Sequence, residues 1–183
     1  FACAEGRVHQ SISPSPTPRE DAARKPCIGM LETGSVAVGL QTADAVLWQS
    51  SVEMLFCEPI SPGRFVMMFT GEVEEVYSSA RRGSEIAGSE LVDEIVIPNL
   101  EHSVFDALRG RFEEAVLDAI GVIETSSVST VVLAADASCK TALVRPVELR
   151  LGNALGGKAF ITFVGEVGDV RSALAAGAAM ASQ

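Results

Sequence analysis

The chain has 183 residues, 48% of them hydrophobic, with 14 Lys and Arg against 24 Asp and Glu and a net charge of −10. Such a composition, with a mean hydropathy of +0.29, belongs to a chain that buries a core. No stretch gathers Lys or Arg as a phosphate-tracking surface must, which argues against nucleic acid as a partner. No apolar run approaches the ~18–20 residues that span a bilayer, and the opening FACAEGRVHQ lacks the basic start and apolar stretch of a signal peptide, so a cytosolic protein without membrane contact is expected.

In chain order, residues 1–25 carry Pro14, Pro16 and Pro18 at alternate positions, the mark of a disordered leader unless the segment before them pairs as a strand. Cys27–Glu32 is a short apolar run suited to a buried strand, and Ser35 caps a helix whose apolar positions are Val36, Leu40, Ala43 and Leu47. A second strand is expected at about Val52–Ile60. Ser61-Pro62-Gly63 is a turn, because Pro fixes φ and Gly relieves the left-handed restriction, and Phe65–Phe69 is the returning strand of the hairpin. Glu74 to Ile86 reads as a helix with Val73, Val76, Tyr77, Ala80 and Ile86 on its inner stripe. Leu91–Ile97 is a fourth strand stopped by Pro98, and Ser103–Leu108 is a short helix.

The same order then returns: strand 119–125, helix 128–142, strand 145–153, turn 154–157, strand 158–164 and helix 167–181. The repetition is visible in the letters themselves. An offset of 92 lays I-G-M-L-E-T (28–33) on I-G-V-I-E-T (120–125) and A-D-A (43–45) on A-D-A (135–137). An offset of 94 lays Pro62-Gly63-Arg64 on Gly156-Gly157-Lys158 and Gly71-Glu72-Val73 on Gly165-Glu166-Val167, so two residues are inserted between the blocks. The expected class is α/β, of the α+β ferredoxin-like kind. It has two tandem modules, 26–112 and 117–183, each a four-stranded antiparallel sheet with flanking helices. The second copy has no fourth strand of its own before Gln183. Val8-His9-Gln10-Ser11-Ile12-Ser13-Pro14 aligns with Val92–Pro98, Val on Val and Pro on Pro, so the N-terminal segment 5–25 is expected to complete the second module by circular permutation.

These blocks, with a P-G-R or G-G-K hairpin tip and a G-E-V that opens a helix, resemble the bacterial microcompartment (BMC) shell domain. The whole chain resembles the family's tandem, trimer-forming class, closest in look to the tandem shell proteins of propanediol-utilising compartments. The resemblance implies a non-enzymatic structural protein: a homotrimer whose six modules form a pseudohexameric tile in the shell of an organelle of the bacterial cytoplasm. The hairpin tips would converge on a central pore for metabolites. Other shell proteins, hexamers and pentamers, would pack at the rims, and encapsulated enzymes would be further partners. On this reading Ser61, Pro62, Gly63 and Arg64 line the pore together with Leu155, Gly156, Gly157 and Lys158, and small residues at the tips are what backbones meeting at one axis require. Arg64 and Lys158 would place six positive charges near the pore, favouring anionic or polar metabolites. Lys140 matches a family lysine that follows the A-D-A block at the tile edge; the first copy has Trp48 there, an aromatic expected to be buried in the core or an interface. Tandem proteins of propanediol-utilising compartments hold an iron–sulfur cluster through a cysteine before the tip. Ser61 stands at that position, and a hydroxyl does not replace a thiolate, so no cofactor and no metal are expected.

No catalytic set emerges. Gly152 to Lys158 has the G-x-x-x-x-G-K spacing of a phosphate loop, but Ala159 follows where a metal-binding hydroxyl is needed, and the segment enters a strand-like run instead of opening a helix. His9 and His102 have no ligands at metal spacing and read as surface residues, and Cys3, Cys27, Cys57 and Cys139 are too scattered for a disulfide framework and read as buried thiols. Glu32 and Glu124 each end an apolar strand before Thr and a helix, and their equivalence points to one structural role played twice, such as accepting backbone N–H groups at the helix start. Two other functions fit the pattern: a small-molecule-binding regulatory module, or an electron-transfer tile with a metal centre at the pore, for which Cys57, four residues before Ser61, is the nearest thiol.

Overall fold

The computed structural model describes residues 25–114, 118–152 and 155–182. The first repeat runs β1 (Cys27–Thr33), α1 (Val36–Gln49), β2 (Glu53–Ile60), β3 (Arg64–Gly71), α2 (Val73–Ala87), β4 (Leu91–Ile97) and α3 (His102–Leu108). The second runs β5 (Ala119–Thr125), α4 (Val128–Thr141), β6 (Arg145–Leu151), β7 (Ala159–Gly165) and α5 (Val167–Ala181). Local chemistry sets the helix starts. The hydroxyls of Ser35 and Ser127 accept from the backbone N–H of Val38 and Thr130, and Glu72 and Glu75 form a capping box at α2.

The first sheet has the order β2-β3-β1-β4 and the second, among the described residues, β5-β7-β6, with every neighbouring pair antiparallel. The registers repeat residue for residue. Cys27↔Gly71 through Thr33↔Phe65 becomes Ala119↔Gly165 through Thr125↔Ala159, and the irregularity between Met54 and Phe56 of β2 recurs between Pro146 and Glu148 of β6. The two extra residues of the second copy fall in its hairpin tip. The N-terminal strand expected from segment 5–25 lies outside the described residues.

All seven residues of β1 are buried, because apolar layers cover both faces of the first sheet. On one face Leu31, Phe65, Phe69, Val46 and Val76 cluster beneath α1 and α2. On the other, Ile28, Met30, Ile97, Leu100 and Val104 form a cluster that continues into the second module through Val128, Val131 and Val132. The modules are therefore joined by shared core, to which one face of α4 contributes.

The helix stripes differ from expectation in an informative way. In α1 the inward residues are Gly39, Thr42, Ala43 and Val46, while Val36, Leu40 and Leu47 are exposed. A Cβ at Gly39 would stand 2.5 Å from the Phe65 ring, and one at Gly83 of α2 would stand 2.3 Å from Leu31. Small residues let both helices lie close on the sheet, which leaves the larger apolar side chains outside. The same holds in α2, where Val76 and Ala80 are buried as expected but Tyr77 and Ile86 are not.

Candidate functional site

The two hairpin tips of the chain meet. A Cβ at Gly157 would lie 3.1 Å from the Ser61 carbonyl oxygen, and one at Gly152 would lie 2.9 Å from Ile60 Cδ1, so the second tip packs directly against the first. Gly63, Gly156 and Gly157 have φ of 117°, 63° and 88°, a region L side chains rarely enter, so glycine here serves conformation as well as close approach. Lys158 leads into β7 at Ala159 and not into a helix, which removes the geometry a phosphate loop needs. Ser61 and Leu155 are both half-buried beside this contact.

The cations at the tips are paired. Arg64 Nη1 donates to Glu32 Oε1 at 2.6 Å, and Lys158 Nζ donates to Glu124 Oε1 at 2.7 Å. The equivalence of Glu32 and Glu124 thus reflects one role played twice, but that role is to hold a tip cation and not to accept backbone N–H groups at a helix start. Register explains it: β1 pairs Glu32 with Val66, so Arg64 is the diagonal cross-strand neighbour on the same face, and β5 pairs Glu124 with Phe160 in the same relation to Lys158. Six unopposed positive charges at the tips are therefore not what three such chains would present. The two pairs differ in burial, since the Glu32 side chain is 1% exposed and that of Glu124 61%.

Cys57 sits within β2 opposite Met67, three residues before Ile60, and burial pushes its thiol above the ordinary range with help from Glu58. Cys139, in α4, is pushed up to about 11 by burial, partly offset by a hydrogen bond with Ser103 and reinforced by Glu101 and Asp136. Cys27 is buried, and Cys3 lies outside the described residues, as does His9. His102 begins α3 half-buried. Among the described residues no three His, Cys, Asp or Glu side chains converge as a metal site, and no helix is long and apolar enough to cross a membrane.

The joint between the modules has a polar seam that was hardly foreshadowed in the sequence. Asp136 Oδ1 accepts the Glu101 backbone N–H at 2.8 Å while its Oδ2 accepts Lys140 Nζ at 2.6 Å, and the Ser129 hydroxyl donates to Asp93 of β4. Its only advance signal was a charged residue inside the otherwise small and apolar A-D-A block. Lys140 is thus fixed along its own helix at the margin of the joint. Its counterpart Trp48, at the end of α1, is 84% exposed and does not belong to the core of the chain.

Comparing α1 with α4 through the offset of 92 isolates the joint. Gly39, Thr42, Ala43 and Val46 are buried, as are their equivalents Val131, Ala134, Ala135 and Ser138, but α4 also buries Val128, Ser129, Val132 and Asp136. The equivalents of that second set, Val36, Ala37, Leu40 and Asp44, are exposed on α1. A matching difference occurs on the sheets: Ile28 and Met30 are fully buried, whereas Ile120 and Val122 are 60% and 55% exposed.

A model of the BMC domain matches the chain twice, over residues 27–100 and 119–183. The bacterial microcompartment shell protein PduT of Citrobacter freundii is 36% identical over 147 residues, 80% of each chain. The carboxysome shell protein CcmK2 of Synechococcus elongatus is 29% identical over 93 residues, 49% of this chain and 91% of that one. Among solved structures, a microcompartment protein from Desulfitobacterium hafniense superposes with a TM-score of 0.82 at 36% identity, covering 86% of this chain and 88% of that one. A fused permuted hexameric shell protein of an RMM microcompartment shares the fold, with a TM-score of 0.64 at 20% identity over 86% and 81% of the two chains.

Proposed function

Because the chain belongs to the BMC-domain family and carries that domain twice, we propose that it is a non-enzymatic shell protein of a bacterial microcompartment, three copies forming a pseudohexameric tile around a central pore. The observation that carries this reading is the unequal burial of α1 and α4. Inside the chain, α4 docks its Val128–Val132 face on the first module; α1 repeats that face with Val36 and Leu40 and leaves it open. The second module in turn leaves Ile120 and Val122 open where the first buries Ile28 and Met30. One chain therefore presents both halves of an unmade copy of its own internal joint. Such a head-to-tail contact is heterologous, and it closes into a ring when the rotation allows.

In the ring the paired tips of each chain come together at the axis. Ser61 and Leu155 alternate around it, and each tip cation carries its own carboxylate, so the opening favours polar or weakly charged metabolites over strongly anionic ones. The rims, with Trp48 and Lys140, pack against neighbouring tiles and other shell proteins, hexameric and pentameric, with enzymes enclosed inside. The tip has no thiolate for an iron–sulfur cluster, and protein purified without oxygen should carry no iron.

Native mass spectrometry and sedimentation velocity test the assembly. A trimer at micromolar concentration, with flat sheets in electron micrographs as concentration rises, is the expected result; a monomer or a two-fold dimer would end the tile reading.

A further inference from the structure

One stripe of α4 enters the joint between the modules, and α1 carries the same stripe in the open. Residues four apart stand above one another on a helix, about 6 Å apart along its axis, so Val128, Val132, Asp136 and Lys140 form one line on α4, and Val36, Leu40, Asp44 and Trp48 form the equivalent line on α1. Burial falls along the first line: Val128 and Val132 are fully buried, Asp136 is 8% exposed and the Lys140 side chain is 36% exposed. Asp136 therefore stands at the edge of the buried zone. All four residues of the second line are exposed.

Of the three polar side chains that α4 brings to the seam of the joint, one is repeated on α1. Ser129 donates to Asp93, but Ala37 stands at its place on α1; Lys140 donates to Asp136, but Trp48 stands at its place. Asp136 is kept, as Asp44. Within the chain Asp136 Oδ1 accepts the backbone N–H of Glu101 at 2.8 Å, one of the N–H groups that a helix start leaves without an acceptor of its own, here at α3. Asp44 has no such donor: among the described residues it makes no hydrogen bond and no ion pair. Aspartate is also among the weaker helix formers, so nothing in α1 itself favours a carboxylate in the middle of that helix.

We propose that Asp44 is the polar anchor of the contact between copies of this chain: when α1 of one copy docks on the second module of the next, its carboxylate accepts a backbone N–H of that copy, as Asp136 accepts the N–H of Glu101 within the chain. The proposal rests on the head-to-tail reading above and adds to it the group that fixes the register of the two faces. Val36 and Leu40 supply apolar area, which tolerates sliding because the hydrophobic effect has no direction. A carboxylate buried as deeply as Asp136 is costly unless a donor meets it, so a slipped contact is penalised. Lys140 holds the second oxygen of Asp136, whereas Trp48 has no cation to give Asp44, and the second oxygen of Asp44 stays at the wet margin. The joint within the chain is thus the better satisfied of the two.

Two measurements on the full chain test the assignment. The first is carbodiimide labelling with glycine ethyl ester, followed at each carboxylate by mass spectrometry at concentrations below and above assembly. Asp44 should be labelled about tenfold more slowly in the assembled protein, while Glu74, exposed in the first turn of α2, keeps its rate. Equal rates at Asp44 in dispersed and assembled protein would overturn the proposal and leave the assembly itself standing. The second compares Asp44→Ala with Asp44→Asn by sedimentation velocity over a dilution series. Loss of the acceptor should raise the concentration needed for assembly by about tenfold or more, and the amide, whose oxygen still accepts an N–H, by about threefold. The thermal midpoint of the dispersed chain should fall in neither. An alanine variant that assembles as readily as wild type sinks the idea, and so does an asparagine variant as weak as the alanine one. A wild-type chain that stays monomeric at every concentration overturns the head-to-tail reading first and this proposal with it, an outcome read before any variant is made.

Discussion

Arg64 reaches diagonally across the β1–β3 ladder to Glu32, 2.6 Å away, and is the only cation that carboxylate meets among the described residues; its second oxygen, Oε2, is buried without a hydrogen-bond partner there. Arg64→Gln would strand a buried carboxylate, a change that costs ~3–5 kcal/mol when both partners are buried and roughly 2 kcal/mol here, since the guanidinium is partly solvated. Lys158→Gln breaks a pair exposed on both sides and should cost under about 1 kcal/mol. Denaturation midpoints of the two variants read the contrast directly. Equal losses would show that burial of Glu32 has no energetic weight.

The open face of α1 predicts a variant that separates assembly from folding. Leu40 is 58% exposed, so Leu40→Asp should leave the melting temperature of the isolated chain nearly unchanged and convert trimer to monomer in sedimentation. Its equivalent Val132 is fully buried at the joint, and Val132→Asp should fail to fold or lose several kcal/mol, because a carboxylate would enter the core unpaired. If Leu40→Asp stays trimeric, the ring does not use this face.

The strands, their order along the chain and the tip residues were legible in the sequence because the repeat doubles every local signal: the strand expected at about 52–60 is supported by its partner expected at 145–153. The direction of the helices was not. Reading Val36, Leu40, Ala43 and Leu47 as the apolar positions of the first helix gives weight to large side chains, yet of the four only Ala43 is buried. The better guide was the small set, Gly39 and Ala43, whose size permits close approach to Phe65. The Glu32–Arg64 pair could not be read from spacing either, since it depends on a diagonal that only the β1–β3 register defines. The same holds for Asp136, which meets Glu101 through tertiary packing alone.

In the proposed tile Trp48 and Lys140, near the ends of equivalent helices, lie at the rim and should act between tiles more than within them. Trp48→Ala removes a large exposed aromatic that contributes nothing to the core, so the trimer and its melting temperature should persist. Sheet formation in electron micrographs should then require about tenfold more protein, the equivalent of losing ~1.4 kcal/mol per contact. Lys140→Ala also frees Asp136 from its i,i+4 partner at the joint, so this variant should lower stability by a few tenths of a kcal/mol as well as weaken sheets. Sheets formed by both variants at the wild-type concentration would place the tile edge elsewhere.

Burial of Cys139 makes a prediction in pH. The folded chain holds the thiol proton until about 11 against an ordinary 9.0, so at pH 8 the thiolate fraction is smaller by about a hundredfold, and alkylation by iodoacetamide should slow accordingly relative to a free thiol. The same shift enters stability. Below pH 9 the folded and unfolded chains both keep the proton, and this group has no pH-dependent effect. Above it the unfolded chain loses the proton first, so stability should fall as pH rises toward about 11, by up to ~2 kcal/mol from this thiol. Cys139→Ala removes the titrating group, and the difference in unfolding free energy between wild type and variant should narrow steadily from pH 9 to 11. A difference that stays constant across that range would mean that the thiol is no more buried in the folded protein than in the unfolded one.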